Sequence, residues 1–162
     1  MVKDTEPDWI LMMDIDEEFE ETIADQLEWM LNHDEVAAWG FRMLQFWRGR
    51  THFRVDGAWG RETVHHIHPR LFRNQPGLHF PAQKIHGAHV VGLEGRCALS
   101  EVCIKHYGYS YPEEVQRKYD RYIHQDPEGD YEHLIDESDL ALVEYQQPAA
   151  CVMEVLPKLC GS

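Results

Sequence analysis

The chain has 162 residues, 43% of them hydrophobic, which is enough for one globular domain that buries about two thirds of its unfolded surface. Its formal charge of -14 argues against a nucleic-acid backbone as a partner. The sequence has no run of about 18 apolar residues that would span a membrane, and MVKDT at its start lacks the apolar core of a secretion signal, so we expect a cytoplasmic protein.

The first predicted element is a strand over Trp9–Met13, and a group of acids follows it. The apolar residues of this strand run without alternation, which is typical of a strand inside a sheet. From Glu17 to Leu31, apolar side chains recur at helical spacing and acids occupy the first turn, which predicts a helix. Asp14 and Asp16 therefore lie between a buried strand and a helix.

The middle of the chain predicts further strands. Val36–Trp47 and Thr51–Val55 form a predicted hairpin, because the glycine of Arg48-Gly49-Arg50 allows a tight reversal. The stretch Gly60–Ala88 is rich in Gly, Pro and His, which indicates short strands and ordered loops. Cys97–His106 is predicted to add another strand.

The second predicted helix covers Pro112–Ile123, with proline near its first turn. Its buried stripe is formed by Val115, Tyr119, Tyr122 and Ile123. We expect residues 1–145 to form an α/β domain, in which both helices pack around a mixed sheet with the Trp9–Met13 strand inside. Residues 146–162 are expected to form an extended or loosely packed C-terminal arm.

The four cysteines follow no metal-binding pattern. Cys97, Cys103, Cys151 and Cys160 are too far apart for a CxxC knuckle, and a chain of this length does not need disulfides. We therefore expect reduced thiols.

Asp14 and Asp16 are candidates for a metal site. On an extended chain, side chains two residues apart point to the same side, so the two carboxylates would repel unless a cation lay between them. Mg2+ or Mn2+ prefers oxygen ligands and can bridge to a diphosphate. The alternative is that Asp16 caps the following helix and its acidic neighbours are solvated.

Arginines and aromatic residues are interleaved between residues 42 and 73, a mixture that can recognise sugars and phosphates. Trp47 and Trp59 are candidate sugar contacts, and Arg70 and Arg73 can face a phosphate or an acceptor. The alternative is a set of amphipathic strands with cationic outer faces. His65, His66 and His68 have a spacing found in zinc sites, but no nearby ligand completes a set, which favours loop or surface histidines.

Three segments together resemble family 2 glycosyltransferases. WILMMDIDEEF, at residues 9–19, resembles the family's WILxLDADEF segment, whose DxD motif binds a metal ion and the diphosphate of a nucleotide sugar. HPRLFRNQPGLHFPAQKIHG, at residues 68–87, resembles its RLFR block, spacer and VHE stretch. IKHYGYSYPEEVQRKYDRY, at residues 104–122, resembles its late histidine and a helix ending in K-x-x-R/K-Y.

The resemblance implies a partial GT-A fold. The three segments occur in the family's order, but the chain lacks the N-terminal half that holds the nucleotide base and ribose in that fold. That half normally covers one edge and face of the sheet. We therefore expect the chain to form a homo-oligomer, to bind a separate N-terminal half, or to cover this surface with its C-terminal arm.

The resemblance also implies roles for individual residues. Asp14 and Asp16 would bind Mn2+ or Mg2+ and the donor diphosphate, and His86 would lie at the substrate. His106 would be a further metal ligand, with a structural histidine as the alternative. Gly87 stands where the family has glutamate, so the general base is sought elsewhere in the sequence. Asp56 and Glu94 are the candidates, with a turn aspartate and a solvated loop glutamate as the alternative.

The leading functional hypothesis is a metal-dependent glycosyltransferase. It would transfer a sugar from a nucleotide-diphosphate sugar to a glycan, lipid-linked or protein acceptor. The first alternative is a binding or scaffold half-domain without turnover. The second is a metal-dependent hydrolase that uses the acids and the histidines around residue 66.

Overall fold

The computed structural model describes residues 6–59, 67–82, 90–148 and 156–159. These residues form a mixed α/β structure with a mostly antiparallel sheet and two α-helices. The elements are β1 (Trp9–Leu11), β2 (Glu17–Phe19), α1 (Ile23–Leu31), β3 (Val36–Trp47), β4 (His52–Arg54), β5 (Ile67–Arg73), β6 (Arg96–Tyr109), α2 (Pro112–Gln125), β7 (Leu142–Glu144) and β8 (Leu156–Leu159). Single 3-10 turns lie at Gly57–Trp59 and Glu132–Leu134. None of the described helices is long and apolar enough to cross a membrane.

Strand β3 is the centre of the sheet. Except for Arg42, all of its residues are buried, because strands flank it on both sides and helices or loops cover its faces. Strand β6 runs parallel to β3 along one side, and β5 and β4 pair antiparallel with the other side. The parallel pairing sets Gln45 beside His106, so residues distant in the sequence become neighbours in the middle of the sheet.

The predicted position of the first strand is wrong. Strand β1 exists, but it pairs only with β5 among the described strands and lies at the edge of the sheet. Ile10 is buried opposite Phe72, whereas Leu11 is half exposed. Trp9 and Met13 pack against one buried cluster and Met12 packs against another, which accounts for the unbroken apolar run.

The predicted helix over Glu17–Leu31 begins later than expected. Glu17–Phe19 forms β2, which pairs antiparallel with β6, and the helix covers only Ile23–Leu31. The reason is tertiary: Glu17 forms an ion pair with buried Arg70, and Phe19 packs edge to face on Phe41 in the core. These two contacts on one side of an extended segment replace the first helical turn.

The other predicted elements are largely confirmed. Phe46 pairs with Phe53 across the hairpin, and Gly49 has the positive φ of 129° that the reversal requires. The predicted strand at Cys97–His106 and the second helix are both present, each slightly longer than expected. In the region 60–88, the structure describes one strand, β5.

The C-terminal part of the chain pairs with β6, and one expectation about the cysteines needs correction. The described residues of the predicted arm are 146–148 and strand β8, which pairs antiparallel with the first residues of β6. Cys97, in the same part of β6, is disulfide-bonded, so the expectation of a reduced thiol is wrong for this residue. Cys103 is a buried, reduced thiol, as expected.

Candidate metal centre

Asp14 and Asp16 lie in a tight turn formed by residues 14–17, which we call the acidic turn. The amide of Glu17 donates to the carbonyl of Asp14 at 3.1 Å, and the amide of Asp14 donates to the Glu17 carboxylate at 3.0 Å. Ile15 is fully exposed at the tip. The turn therefore presents two carboxylates from one rigid loop.

Arg70 holds the acidic turn from beneath. Its side chain is 2% exposed, and its Nη2 forms an ion pair with Glu17, which is equally buried, and lies 3.5 Å from Asp14 Oδ2. The remaining guanidinium nitrogens, Nε and Nη1, are buried and have no hydrogen-bond partner among the described residues. Arg70 thus positions the turn from below the surface, which differs from the solvent-facing phosphate contact that the sequence suggests.

Asp16 faces two groups from the third segment of the resemblance. Its Oδ2 lies 3.3 Å from His106 Nε2 and 3.4 Å from Lys118 Nζ, and these two nitrogens are 3.5 Å apart. The hydrogen bond with His106 lowers the pKa of Asp16 well below its ordinary value; partial burial opposes this effect, and the charge of Lys118 adds to it. Asp16 is therefore a carboxylate at any pH near neutrality.

His106 is held in one orientation by its neighbour in the sheet. Its Nδ1 contacts Oε1 of Gln45, and both side chains are buried. This contact fixes the orientation of the ring and directs Nε2 at Asp16. A second hydrogen bond of this kind usually fixes the ring of a metal-binding histidine.

Lys118 reaches the same point from helix α2. Its ammonium lies over the ring of Tyr109, 4.3 Å from the ring centre, and its side chain is 17% exposed. Burial lowers the pKa of Lys118, while the charge of Asp16 acts in the opposite direction. We refer to the group of Asp16, His106 and Lys118, together with Gly108, as the cation site.

Gly108 leaves the space in which these side chains meet. A Cβ on this residue would lie 2.1 Å from Lys118 Nζ, 2.5 Å from Asp16 Oδ2 and 2.7 Å from His106 Nε2. All three distances are shorter than any normal contact, so a side chain at this position would displace the ends of Lys118, Asp16 and His106. The space is lined by one carboxylate oxygen, one imidazole nitrogen and one ammonium.

The cation site offers two potential metal ligands, an oxygen of Asp16 and a nitrogen of His106, with the Lys118 ammonium beside them. No group of three or more His, Cys, Asp or Glu side chains within the described ranges is arranged to hold a metal ion. Mg2+ that also binds substrate phosphates uses only one or two carboxylates, so Asp16 and His106 would be the protein ligands of a divalent ion at this point. An imidazole ligand favours Mn2+, because Mg2+ strongly prefers oxygen.

Asp56 and the two tryptophans lie in a buried layer. Arg54 donates to both carboxylate oxygens of Asp56 at 2.9 Å, and its guanidinium stacks on Trp47 and Trp59. Burial would raise the pKa of Asp56, but the hydrogen bonds from Arg54 and from a backbone amide outweigh it and lower the pKa. Both indoles pack against Tyr109, whose ring centre lies 5.6 Å from that of Trp47 and 5.0 Å from that of Trp59. This arrangement favours structural roles for Asp56 and Trp59.

Trp47 also lines a surface cleft of about 200 Å³. Its indole nitrogen donates to Glu137 at 2.7 Å, and Glu137 also binds Arg48. Tyr109 lines the same cleft and carries Lys118 on its ring, so it connects the cleft to the cation site.

The remaining predicted residues do not join the cation site. Arg73 donates to the carbonyls of Val36 and His33 at 3.1 Å, so it ties β5 to the start of β3. Glu94 is exposed in the loop before β6, and the side chain of Gln75 holds its backbone. His65, His66 and His86 lie outside the described residues, and only the backbone of His68 is described.

Sequence reasoning missed four contributors to this centre: Glu17, Gln45, Gly108 and Lys118. Lys118 is the lysine of the K-x-x-R pattern, and Gly108 belongs to the same quoted segment, so the pattern carried a signal for both. Glu17 lies in the first segment of the resemblance, so it carried a signal of the same kind. Gln45 carried none, because its role depends on the pairing of β3 with β6.

Comparison with known proteins adds no assignment. No family model, no curated protein and no solved structure matches the chain. The function is therefore argued from the geometry of the cation site and from the sequence segments that meet there.

Proposed function

We propose that this chain binds a nucleotide-diphosphate sugar through a divalent cation held by Asp16 and His106, and that it transfers the sugar to a glycan, lipid-linked or protein acceptor. One observation carries the proposal. The three segments that resemble family 2 glycosyltransferases meet at the acidic turn, since Arg70 comes from the second segment, and His106 and Lys118 come from the third. Arg70 contacts Asp14, and His106 and Lys118 contact Asp16, although the three segments lie far apart in the sequence.

The electrostatics of the chain support this proposal. A diphosphate is a poor ligand for a protein with a net charge of -14 unless cations are concentrated locally. Mn2+, or less favourably Mg2+, would neutralise charge on the leaving diphosphate. Asp16 and His106 provide its protein ligands, and Arg70 keeps the acidic turn in position. Lys118 adds a second positive charge at the same point.

We propose that the sheet is the DxD-containing half of a GT-A fold. The acidic turn directly follows β1, whose outer edge pairs with no other described strand. An open edge of this kind is where a nucleotide-binding half would add its strands. The base and ribose of the donor would then lie on the β1 side of the cation site.

The general base is best sought in Glu94. Asp56 is already bound by Arg54 and by a backbone amide, so it is poorly suited to accept a proton. The carboxylate of Glu94 is exposed in the loop before β6. Because Asp56 already accepts hydrogen bonds from Arg54 and a backbone amide, the main alternative function is also favoured, namely a half-domain that binds the donor without turnover.

Calorimetry tests the proposal. The chain is titrated with uridine, guanosine and thymidine diphosphates, with and without Mn2+. We expect one nucleotide to bind at least about tenfold more tightly with Mn2+, and Asp16→Asn to abolish this gain. Transfer from the corresponding nucleotide sugar then separates an enzyme from a binding half-domain. If none of the nucleotides binds in the presence of Mn2+, the proposal is wrong.

A further inference from the structure

Lys118 has an unusual position for a lysine on a helix surface. Its ammonium lies close to two side chains, at 3.4 Å from Asp16 Oδ2 and 3.5 Å from His106 Nε2. Both distances exceed the roughly 2.8 Å of a good charge-assisted hydrogen bond. The ammonium therefore neutralises the acidic turn without being tightly bound to it.

The same two atoms are the proposed ligands of the divalent ion. With its Nδ1 held by Gln45, the ring of His106 directs Nε2 into the space that it shares with Asp16 Oδ2 and Lys118 Nζ. An ammonium between a carboxylate oxygen and an imidazole nitrogen thus occupies the place of a metal ion. A divalent ion and an ammonium repel each other strongly at this separation, so both can be present only if an anion lies beside them.

We propose that Lys118 is the resident cation of this site, and that its ammonium moves from Asp16 and His106 to the diphosphate oxygens when a divalent ion enters. This inference rests on the proposed function. Lys118 thereby disfavours binding of the metal ion alone and favours binding of the metal ion together with the diphosphate.

The surroundings of Lys118 suit such a movement. Its flexible four-carbon chain comes from α2, outside the sheet that carries His106, so the ammonium can shift without moving the metal ligands. The ring of Tyr109 supports the cation in a partly buried position. Gly108 contributes no side chain to obstruct the exchange.

Two affinities measured on the full chain test the inference. The first is the affinity for Mn2+ alone, measured from the paramagnetic resonance signal of free Mn2+. The second is the affinity, at saturating Mn2+, for whichever of the uridine, guanosine and thymidine diphosphates the wild-type chain binds best. For Lys118→Met, we expect the affinity for Mn2+ alone to rise about tenfold. The affinity for the nucleotide at saturating Mn2+ should fall at least about tenfold. Lys118→Arg keeps the charge, and both of its affinities should stay nearer to wild type.

Lys105→Met is the matched control. Lys105 precedes His106 in β6 and pairs with Glu18 at 2.7 Å, so the control also removes a lysine bound to a carboxylate of the same segment. Neither affinity should change in this variant. If Lys118→Met does not fold, as judged by thermal melting, Lys118→Gln carries the same expectation.

The outcomes separate the two proposals. Suppose that the wild-type chain binds Mn2+ and nucleotide, but Lys118→Met changes neither affinity or lowers the affinity for Mn2+ without nucleotide. Lys118 is then not the resident cation, and the proposed function stands. If the wild-type chain binds neither ligand, both proposals are overturned.

Discussion

Asp16 and His106 are held together by the backbone as well as by their side chains. The amide of Tyr107 donates to the carbonyl of Asp16 at 2.8 Å, and Glu17 pairs with His106 in the β2–β6 ladder. The 3.3 Å separation of Asp16 Oδ2 and His106 Nε2 is therefore set by the sheet. Two potential metal ligands are thus preorganised by strand pairing, which lowers the cost of binding an ion.

Replacing His106 with alanine separates a ligand from a structural histidine. We expect the Mn2+-dependent nucleotide affinity to fall at least about tenfold. The free energy of unfolding should fall by only about 1–2 kcal/mol, from lost hydrogen bonds and packing. The control is His33→Ala, which removes a histidine bonded to the Trp29 carbonyl away from the cation site. A lower melting temperature with unchanged nucleotide affinity would make His106 structural.

Replacing Gly108 with alanine tests the space inside the cation site. The added methyl group would overlap Lys118, Asp16 and His106, so nucleotide affinity in Mn2+ should fall at least about tenfold. Gly129→Ala is the control, because its methyl group would collide with Tyr131 and Asp126 elsewhere in the fold. The control should lose stability, by about 1–3 kcal/mol, and keep its affinity. Equal affinity losses in both variants would indicate a general effect of overpacking.

Asp16→Asn should destabilise the metal-free protein. The sequence alone suggests the opposite, since removing one of two neighbouring carboxylates would relieve repulsion. In the structure Asp16 instead faces Lys118 and His106, so we expect a loss of about 1–2 kcal/mol at pH 7, reduced by its partial exposure. Urea unfolding measures this loss. A variant more stable than the wild type at pH 7 would contradict it.

The pH dependence of this difference follows from the lowered pKa of Asp16. Its contribution to stability is complete above the ordinary aspartate value of about 3.9 and is lost as the pH falls through the lower value in the folded state. The gap between wild type and Asp16→Asn should therefore be constant from pH 5 to pH 7 and shrink below about pH 4. The control is Asp34→Asn, which removes an exposed ion pair with Arg73. The unfolding free energy of this variant should not differ from that of the wild type by a comparable amount.

Arg70→Met tests the anchoring of the acidic turn. Removing the guanidinium leaves the Glu17 carboxylate buried without its cation, so we expect a loss of about 3–5 kcal/mol in unfolding free energy. Adding Glu17→Gln should restore part of it, because the unpaired charge is then gone. Arg73→Met is the control, since Arg73 is more exposed and bonds mainly to carbonyls. Similar losses in both single variants would argue against a buried Arg70–Glu17 pair.

Local patterns in the sequence predict much of this fold. The hairpin, β6 and α2 follow from residue spacing, glycine and proline, which act over a few residues. The edge position of β1 and the strand at Glu17–Phe19 do not, because both depend on partners far along the chain. Interactions of that range leave no periodic signal in a single sequence.

The candidate site is predictable to a similar extent. Asp16 and His106 are identified by motif, and the structure brings them together. Asp56 and Trp59 have residue types that suit a sugar-binding or catalytic site, yet both contact Arg54 in a buried layer. Lys118 resembles any solvated helix lysine until α2 is placed against β6. Residue type alone does not distinguish a side chain that serves a ligand from one that serves the core.

A crystal soaked with MnCl2 and the best-binding nucleoside diphosphate tests the central claim most directly. Anomalous scattering locates Mn2+ independently of the protein coordinates. We expect a peak within about 2.0–2.6 Å of an Asp16 oxygen, with His106 as a second ligand and the diphosphate beside it. Nucleotide density without a manganese peak at Asp16, or saturating ligand with the site empty, would contradict a metal-dependent donor site in this protein.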